Sequence, residues 1–274
     1  MRRPKIFLFA VVVTALPCAT ASAAGWTQPP EHFYLKVWDR TLLGKKAFTE
    51  AKTQVELPEG YQDHQVGLYG EYGLMDRLTL TLSAIPFGFA AYDEERRPYF
   101  GGGALGLRYQ LYRGSWVAAV AAEIGGRPSS GDPLFADTVE GEALVVSPVV
   151  GTIYGGGSLE VGYGYSFGWL SAQAGARFFS NGGLDPAFFA RAQSGWILGA
   201  GFLLDLHVSW YHALGDFRPI NVLGAGQTRY VGVGLGASWW FVDWMAVTVG
   251  FEGAPFAVAN AATPSLAAGF EFRR

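Results

Sequence analysis

Between Val66 and Ser83 the chain reads Val-Gly-Leu-Tyr-Gly-Glu-Tyr, then Gly-Leu-Met-Asp-Arg, then Leu-Thr-Leu-Thr-Leu-Ser. Successive side chains of a strand point to opposite faces, so Leu78, Leu80 and Leu82 share one face, and Thr79, Thr81 and Ser83 share the other. An alternating segment entered through a tight polar turn specifies a strand with one apolar and one polar side. Similar units recur to the C-terminus. Strands of this kind need an apolar medium outside and a polar interior inside. A closed antiparallel barrel in a bilayer supplies both, and it pairs every backbone group with a neighbour.

The N-terminus agrees with that destination. Arg2, Arg3 and Lys5 form a basic start, Ile6 to Leu16 a short apolar stretch, and Ala21-Ser22-Ala23 a small-residue cleavage site, so residues 1–23 read as a secretory signal peptide. The apolar stretch is too short to span a bilayer as a helix. Cys18 lies inside it, and Pro17 stands where a lipidation site would carry a small residue, so Cys18 is expected to leave with the signal. The mature chain, 24–274, then has no cysteine for a disulfide, a thiol nucleophile or a thiolate metal site. Loss of Arg2, Arg3 and Lys5 takes the formal net charge from −3 to −6. With no basic block to neutralise phosphates, nucleic acid is not an expected partner. Aromatic residues make up 15% and charged residues 16% of the chain, and apolar residues alternate instead of running together, which suits a barrel better than a helical membrane protein.

The pattern predicts about twelve strands: His32–Leu42, Gln62–Tyr72, Leu78–Phe87, Gly103–Tyr112, Ser115–Ile124, Thr152–Phe167, Leu170–Phe179, Phe188–Trp196, Phe202–Tyr211, Thr228–Phe241, Trp244–Phe251 and Ser265–Phe272. No clear turn signal separates Ser194 from Tyr211. The more polar Gly44–Gly60 is expected as an external loop or a partial plug. Gly126–Pro148 is expected as a long loop, and Asp93 to Arg97 as a polar one. Short turns alternate with long loops, as in outer-membrane barrels. Aromatics crowd the short turns (Tyr72, Tyr109, Tyr112, Trp116, Phe167, Trp169, Trp239, Trp240, Phe241, Trp244) and predict an interfacial girdle.

Parity assigns the faces. Leu105, Leu107, Tyr109 and Leu111 oppose Ala104, Gly106, Arg108 and Gln110, and the other strands divide the same way. A basic side chain on the lipid face at mid-depth costs about 2–4 kcal/mol, so the charged face is the lumen. The lumen-lining set is Lys36, Glu71, Arg108, Glu123, Glu160, Arg177, Arg191, Asp205, His207, Glu252 and Glu271. These residues of mixed sign either pair and fill a narrow barrel or line a solute path. Inward Gly162, Gly164, Gly232, Gly234 and Gly236 would leave space for a path. At the C-terminus Ala268-Gly269-Phe270-Glu271-Phe272 resembles the terminal aromatic strand read by barrel-assembly machinery, although Arg273 and Arg274 follow the aromatic.

Tyr69-Gly70-Glu71-Tyr72-Gly73-Leu74-Met75-Asp76-Arg77-Leu78-Thr79-Leu80 resembles the turn motif of the outer-membrane transporter family named for the meta-pathway of phenol degradation, with Met75 where that family carries Thr or Ser. The likeness implies a barrel of about this size that passes small, often hydrophobic molecules, with Glu71, Tyr72, Gly73, Asp76 and Arg77 forming a periplasmic turn. It carries no catalytic residues. Asp76 and Gly73 suit a tight turn on their own account.

Enzymatic chemistry finds little support. Arg177-Phe178-Phe179-Ser180-Asn181-Gly182-Gly183 resembles the Ser-Asn site of outer-membrane lipid hydrolases, but those carry a histidine where Phe178 stands. A serine without a base is a weak nucleophile, and only His207 or His212 could supply one. His207 and His212 lie five apart on a strand and so face opposite ways, which argues against a shared metal. The tracts Gly101-Gly102-Gly103 and Gly155-Gly156-Gly157 lack the lysine and hydroxyl residue of a phosphate loop. The expectation is an all-β transmembrane barrel without cofactor or metal. Its expected partners are outer-membrane lipids, the assembly machinery and a small hydrophobic solute. The leading function is a passive channel. A structural or adhesive barrel with a filled lumen is the alternative, and a hydrolase around Ser180 the third.

Overall fold

The computed structural model describes residues 25–129, 131–180, 184–215, 219–224 and 227–274. The expected signal peptide and Cys18 lie outside the described residues. Long antiparallel strands follow one another around a closed transmembrane β-barrel: β1 (Phe33–Phe48), β2 (Gln54–Met75), β3 (Leu78–Tyr92), β4 (Gly102–Arg113), β5 (Trp116–Arg127), β6 (Thr152–Tyr165), β7 (Gly168–Phe179), β8 (Ala187–Gly199), β9 (Phe202–Ala213), β10 (Arg229–Val242), β11 (Met245–Val258) and β12 (Ser265–Arg273). Closure comes from β12, which pairs with β1 from Tyr34↔Arg273 to Leu42↔Ser265. No edge strand is left unpaired in the ring, as the absence of water in a bilayer core requires.

Alternation places side chains as the pleat demands. On β4, Leu105, Leu107 and Leu111 are about half exposed on the outer face, while Arg108 and Gln110 are buried inside. Thr79 on β3 is fully buried, and its neighbour Leu78 is on the other side. The exposed outer band continues through Leu159, Val161, Leu206, Val208, Leu235, Val249, Leu266 and Phe270. An apolar surface this extensive is stable only against lipid.

Two-residue gaps join the strands at one end: Asp76-Arg77, Gly114-Ser115, Ser166-Phe167, Ala200-Gly201 and Asp243-Trp244. The turn that the sequence leaves unmarked is the fourth. Gly199, Ala200 and Gly201 there have φ of 90°, 48° and 79°. Two glycines make this left-handed run accessible, and Ala200 is carried between them.

The other end differs from expectation. Gly44–Gly60 is not a plug or an irregular loop. β1 and β2 run through it, stay paired to Phe48↔Gln54, and turn across residues 49–53, with one register shift between Gly44 and Lys46. This hairpin rises past the neighbouring strands, burying Ala47, Val55 and Leu57 in the cap core and exposing Lys45, Lys46, Gln54 and Glu56, so it carries no lipid-matched pattern. The polar loop at Asp93 to Arg97 is likewise built: Glu95–Tyr99 folds back as a strand on β3. Within the long loop, Phe135–Val139 and Glu142–Val146 form a hairpin, and Ile220–Asn221 joins it in parallel. Leu134, Leu144, Val146, Val149, Ile220 and Val222 then pack with Leu57, Tyr61, Tyr92 and Tyr99 into an apolar core over the outer mouth.

Candidate functional site: the barrel lumen

At the short-turn end the lumen is crossed by residues ahead of β1. Gly25-Trp26-Thr27-Gln28-Pro29-Pro30, the strap, lies inside the ring. It is held by hydrogen bonds to four strands. The Gly25 N–H donates to Glu160 Oε2 (2.8 Å) and Gln28 Nε2 to Glu71 Oε2 (2.6 Å). The Gln28 N–H donates to Thr79 Oγ1 (2.8 Å), and Thr27 Oγ1 donates to Gln110 Oε1 (3.1 Å). Gln110 Nε2 reaches the Gly25 carbonyl at 3.3 Å. The Trp26 ring lies against Gly162, where an added Cβ would overlap it, and packs with Trp169 and Leu203. The whole segment lacks secondary structure, so side-chain donors and acceptors of the wall satisfy its backbone.

Arg108 organises that contact. Its Nε donates to Glu160 Oε2 at 2.7 Å and its Nη1 to Glu71 Oε1 at 2.8 Å. Nη1 also donates to the Trp26 carbonyl (3.2 Å) and Nη2 to the Tyr69 hydroxyl (3.4 Å). Side-chain exposure is 9% for Arg108 and 2% for each glutamate. The planar guanidinium suits this fork of carboxylates better than an ammonium would.

The family-like turn motif takes part directly. Glu71 belongs to the ionic cluster. Gly73 N–H donates to the His32 carbonyl and its carbonyl accepts from Glu31 N–H, both at 2.9 Å. A Cβ at Gly73 would overlap the Pro29 carbonyl. The Asp76 carbonyl accepts from Thr27 Oγ1 (3.3 Å) and the Arg77 carbonyl from Gln110 N–H (2.8 Å). Tyr72 points outward and is 43% exposed. The motif therefore does more than turn the chain: three of its five members seat the strap or its approach to β1.

Above the strap lies a cavity of about 410 Å³. Lys36, Arg191, Asp205, His207, Glu252 and Glu271 line it, with Trp38, Trp169 and Leu203 as apolar neighbours. Lys36 pairs with Glu271 at 3.0 Å. His207 Nδ1 stands 3.6 Å from Asp205 Oδ1, and its Nε2 3.9 Å from Glu252 Oε1. Arg191 forms no direct ion pair among the described residues. Further out, Arg177 donates to Glu123 (2.7 Å) and lies 5.1 Å from the Phe189 ring centre. The expected glycine wall is not open space. His207 lies across Gly234, Asp205 across Gly236 and Ser209 beside Gly232, so each missing Cβ seats a side chain from β9. Trp169 also departs from expectation. It faces the lumen at 6% exposure instead of joining the lipid-facing girdle, because it shares parity with Ser171 and Gln173.

The outer closure has one polar seam under its apolar core. Arg40 pairs with Asp63 (3.0 Å), which also accepts from the Tyr99 hydroxyl (2.6 Å). Burial and the adjacent Asp63 carboxylate push the Tyr99 phenol well above its ordinary range, so it stays a donor. Asp63, Arg40, Gln110 and the strap itself carry no sequence motif. The only advance sign was that Glu71 and Glu160 share an inner face that holds Arg108.

Neither candidate histidine is placed to serve Ser180. The Ser180 N–H donates to the Ile153 carbonyl (2.8 Å) at the outer end of β7, while residues 181–183 lie outside the described residues. His207 lies across from Gln193 and thus level with Ser171, about 30 Å along the strand from Ser180 at ~3.3 Å per residue. His212 stacks on outward Trp210. Among the described residues no group of three His, Cys, Asp or Glu side chains is placed to hold a metal.

No protein-family profile matches the sequence, and no curated protein matches it. Solved structures do. The COG4313 outer membrane channel from Pseudomonas putida F1 is 12% identical, with a TM-score of 0.62 over 90% of this chain and 97% of that one. The NanC porin is 7% identical, with a TM-score of 0.52 over 87% of this chain and 98% of that one. At such identities the likeness is one of fold, and the fold it shares is that of outer-membrane β-barrels.

Proposed function

We propose that this barrel is a passive channel of the outer membrane for small molecules, in a closed conformation with both mouths covered. The observation that carries the reading is the cavity of about 410 Å³ between strap and outer cap, within the range of small-ligand sites. Its lining mixes Trp38, Trp169 and Leu203 with Arg191, His207 and Gln193, which suits a solute with an aromatic or apolar body and a polar end. The resemblance of the Glu71–Arg77 turn to the meta-pathway transporters favours the same class. Strap and cap are built from contacts that can be released without breaking the ring, so opening needs no rupture of strand pairing. The apolar outer band makes lipid the surrounding partner, and the strand ending Phe270-Glu271-Phe272 is the segment that assembly machinery would read.

A specific observation also favours the second reading, a structural or adhesive barrel: strap and ion pairs already fill much of the lumen. Single-channel recording of the mature, refolded protein in a planar bilayer separates the two. A passive channel gives discrete openings, larger when residues 25–30 are deleted. Silence from both folded proteins would overturn the channel and leave the filled barrel.

A further inference from the structure

A second hollow lies outside the ring, at the long-loop end. On the barrel wall this groove of about 780 Å³ is lined by Trp210, His212, Arg229, Val231 and Phe256, with Glu50, Lys52 and Glu142 contributed from the outer loops. Ladder register sorts the wall into two rows. Trp210, Val231 and Phe256 pair across β9, β10 and β11, and Trp210 and Phe256 are exposed on the lipid side. His212 pairs with Arg229 nearer the outer ends of the same strands. The wall therefore passes from apolar to basic in the outward direction. Arg229 is oriented by its Nε, which donates to the Ala213 carbonyl (2.9 Å), and the His212 ring stacks on Trp210 with 5.6 Å between centres. Glu50 and Lys52 sit on the β1–β2 turn, where the Thr49 N–H donates to the Thr53 carbonyl (2.9 Å) and the Lys52 N–H to the Thr49 carbonyl (3.1 Å). Glu142 comes from the tip of the cap hairpin.

An apolar wall under a charged rim is the complement of a lipid molecule, with acyl chain below and headgroup above. The wall is part of the exposed outer band, so the medium that fills the groove is the outer leaflet. The rim carries both signs. Arg229 and Lys52 suit a phosphate, whereas Glu50 and Glu142 repel one. A headgroup that holds a phosphate and an ammonium meets all four. A primary ammonium brings three N–H donors for the carboxylates, and a quaternary one brings none. We propose that this groove binds a lipid with a phosphoethanolamine headgroup. Its acyl chain lies along the Trp210–Val231–Phe256 row, its phosphate faces Arg229 and Lys52, and its ammonium faces Glu50 and Glu142. A lipid held there joins the β1–β2 turn and the cap hairpin to the barrel wall. The site is separate from the lumen and does not rest on the channel reading.

The test uses the mature chain refolded in detergent and titrated with phosphatidylethanolamine, phosphatidylglycerol or phosphatidylcholine of identical acyl chains. Bound lipid is counted by native mass spectrometry. Phosphatidylethanolamine should bind at least about tenfold more tightly than either of the others. Equal retention of all three would mark an unselective lipid shell and overturn the proposal. Tighter binding of phosphatidylglycerol would mark a site for anions and overturn it as well. Glycerophosphoethanolamine, the same headgroup without chains, should bind at least about tenfold more weakly than the lipid, and equal binding would give the site to a soluble ligand instead. Two double variants divide the headgroup, each compared after gel mobility before and after heating shows a folded barrel. Glu50→Gln with Glu142→Gln should abolish the preference over phosphatidylglycerol while lipid is still bound. Lys52→Gln with Arg229→Gln should weaken phosphatidylethanolamine binding at least about tenfold. Unchanged binding in both variants would overturn the assignment. Neither readout depends on conductance, so a failed channel assay leaves the inference standing.

Discussion

The two ends of this barrel are built by opposite kinds of chemistry. At the short-turn end, six residues without secondary structure are held by a buried ionic fork and a ring of amide and hydroxyl contacts. At the outer end, short strands close over a dry apolar core with Leu57, Leu144, Val146 and Ile220 almost fully buried. Polar contacts are directional, and a missing partner leaves a desolvated group exposed to its full penalty. Apolar contacts are tolerant in direction and roughly proportional to area. The ionic end should therefore respond sharply to loss of a single group, and the apolar end to loss of volume.

The difference can be broken from either side. The largest effect is expected for Arg108→Met, which leaves Glu71 and Glu160 buried without a cation at a cost of about 3–5 kcal/mol. Denaturant unfolding in detergent should show the fall, and alkylation of a thiol placed at Thr27 should show the strap released. A loss under about 1 kcal/mol would mean that the ionic end is not held by charge. Next comes Leu144→Ala, costing about 2–5 kcal/mol within the outer cap. Limited proteolysis should then cut near residues 134–146, while global unfolding and strap protection stay as in the parent. Cleavage that tracks strap release instead would couple the two ends.

Smaller changes sharpen the contrast. Gly162→Ala pushes a Cβ into the Trp26 ring and should weaken strap docking by about 1–3 kcal/mol. Single-channel current should rise and the cap should keep its protease resistance. The least effect belongs to Arg273→Ala. It removes a guanidinium 3.9 Å over the Trp240 ring centre, an interaction of about 0.5–1 kcal/mol, and should leave both closures unchanged in the same assays.

The alternation of Leu and Thr from Leu78 to Ser83 made the ring and its faces legible, because a period of two admits one assignment once charge marks the inside. What stayed hidden has physical reasons. Gly199 and Gly201 fell between the expected strands Phe188–Trp196 and Phe202–Tyr211 with no clear turn signal, because the turn rests on left-handed φ values that a single sequence does not display. Residues 44–60 carry no lipid-facing pattern because the hairpin there buries Ala47, Val55 and Leu57 in the cap core and exposes Lys45, Lys46 and Glu56. The inward glycines were read as room, whereas Gly232, Gly234 and Gly236 seat side chains of β9 and Gly162 seats Trp26 of the strap. The strap was invisible because a segment without periodicity announces itself only through what it touches, and Glu71, Arg108 and Glu160 come from three strands far apart in sequence.

The seam between β1 and β12 reaches furthest in its consequences. Phe33 and Arg274 exchange backbone hydrogen bonds, Phe33 N–H to Arg274 carbonyl at 3.2 Å and Arg274 N–H to Phe33 carbonyl at 3.0 Å. The ring is thus fastened by its first and last strands, the pairing of greatest sequence separation in the barrel and one that is slow to find by diffusion. Until that clasp forms, β1 offers a bare row of amides and carbonyls to anything extended nearby. A half-made barrel is then adhesive to its own kind until the last strand reaches the first.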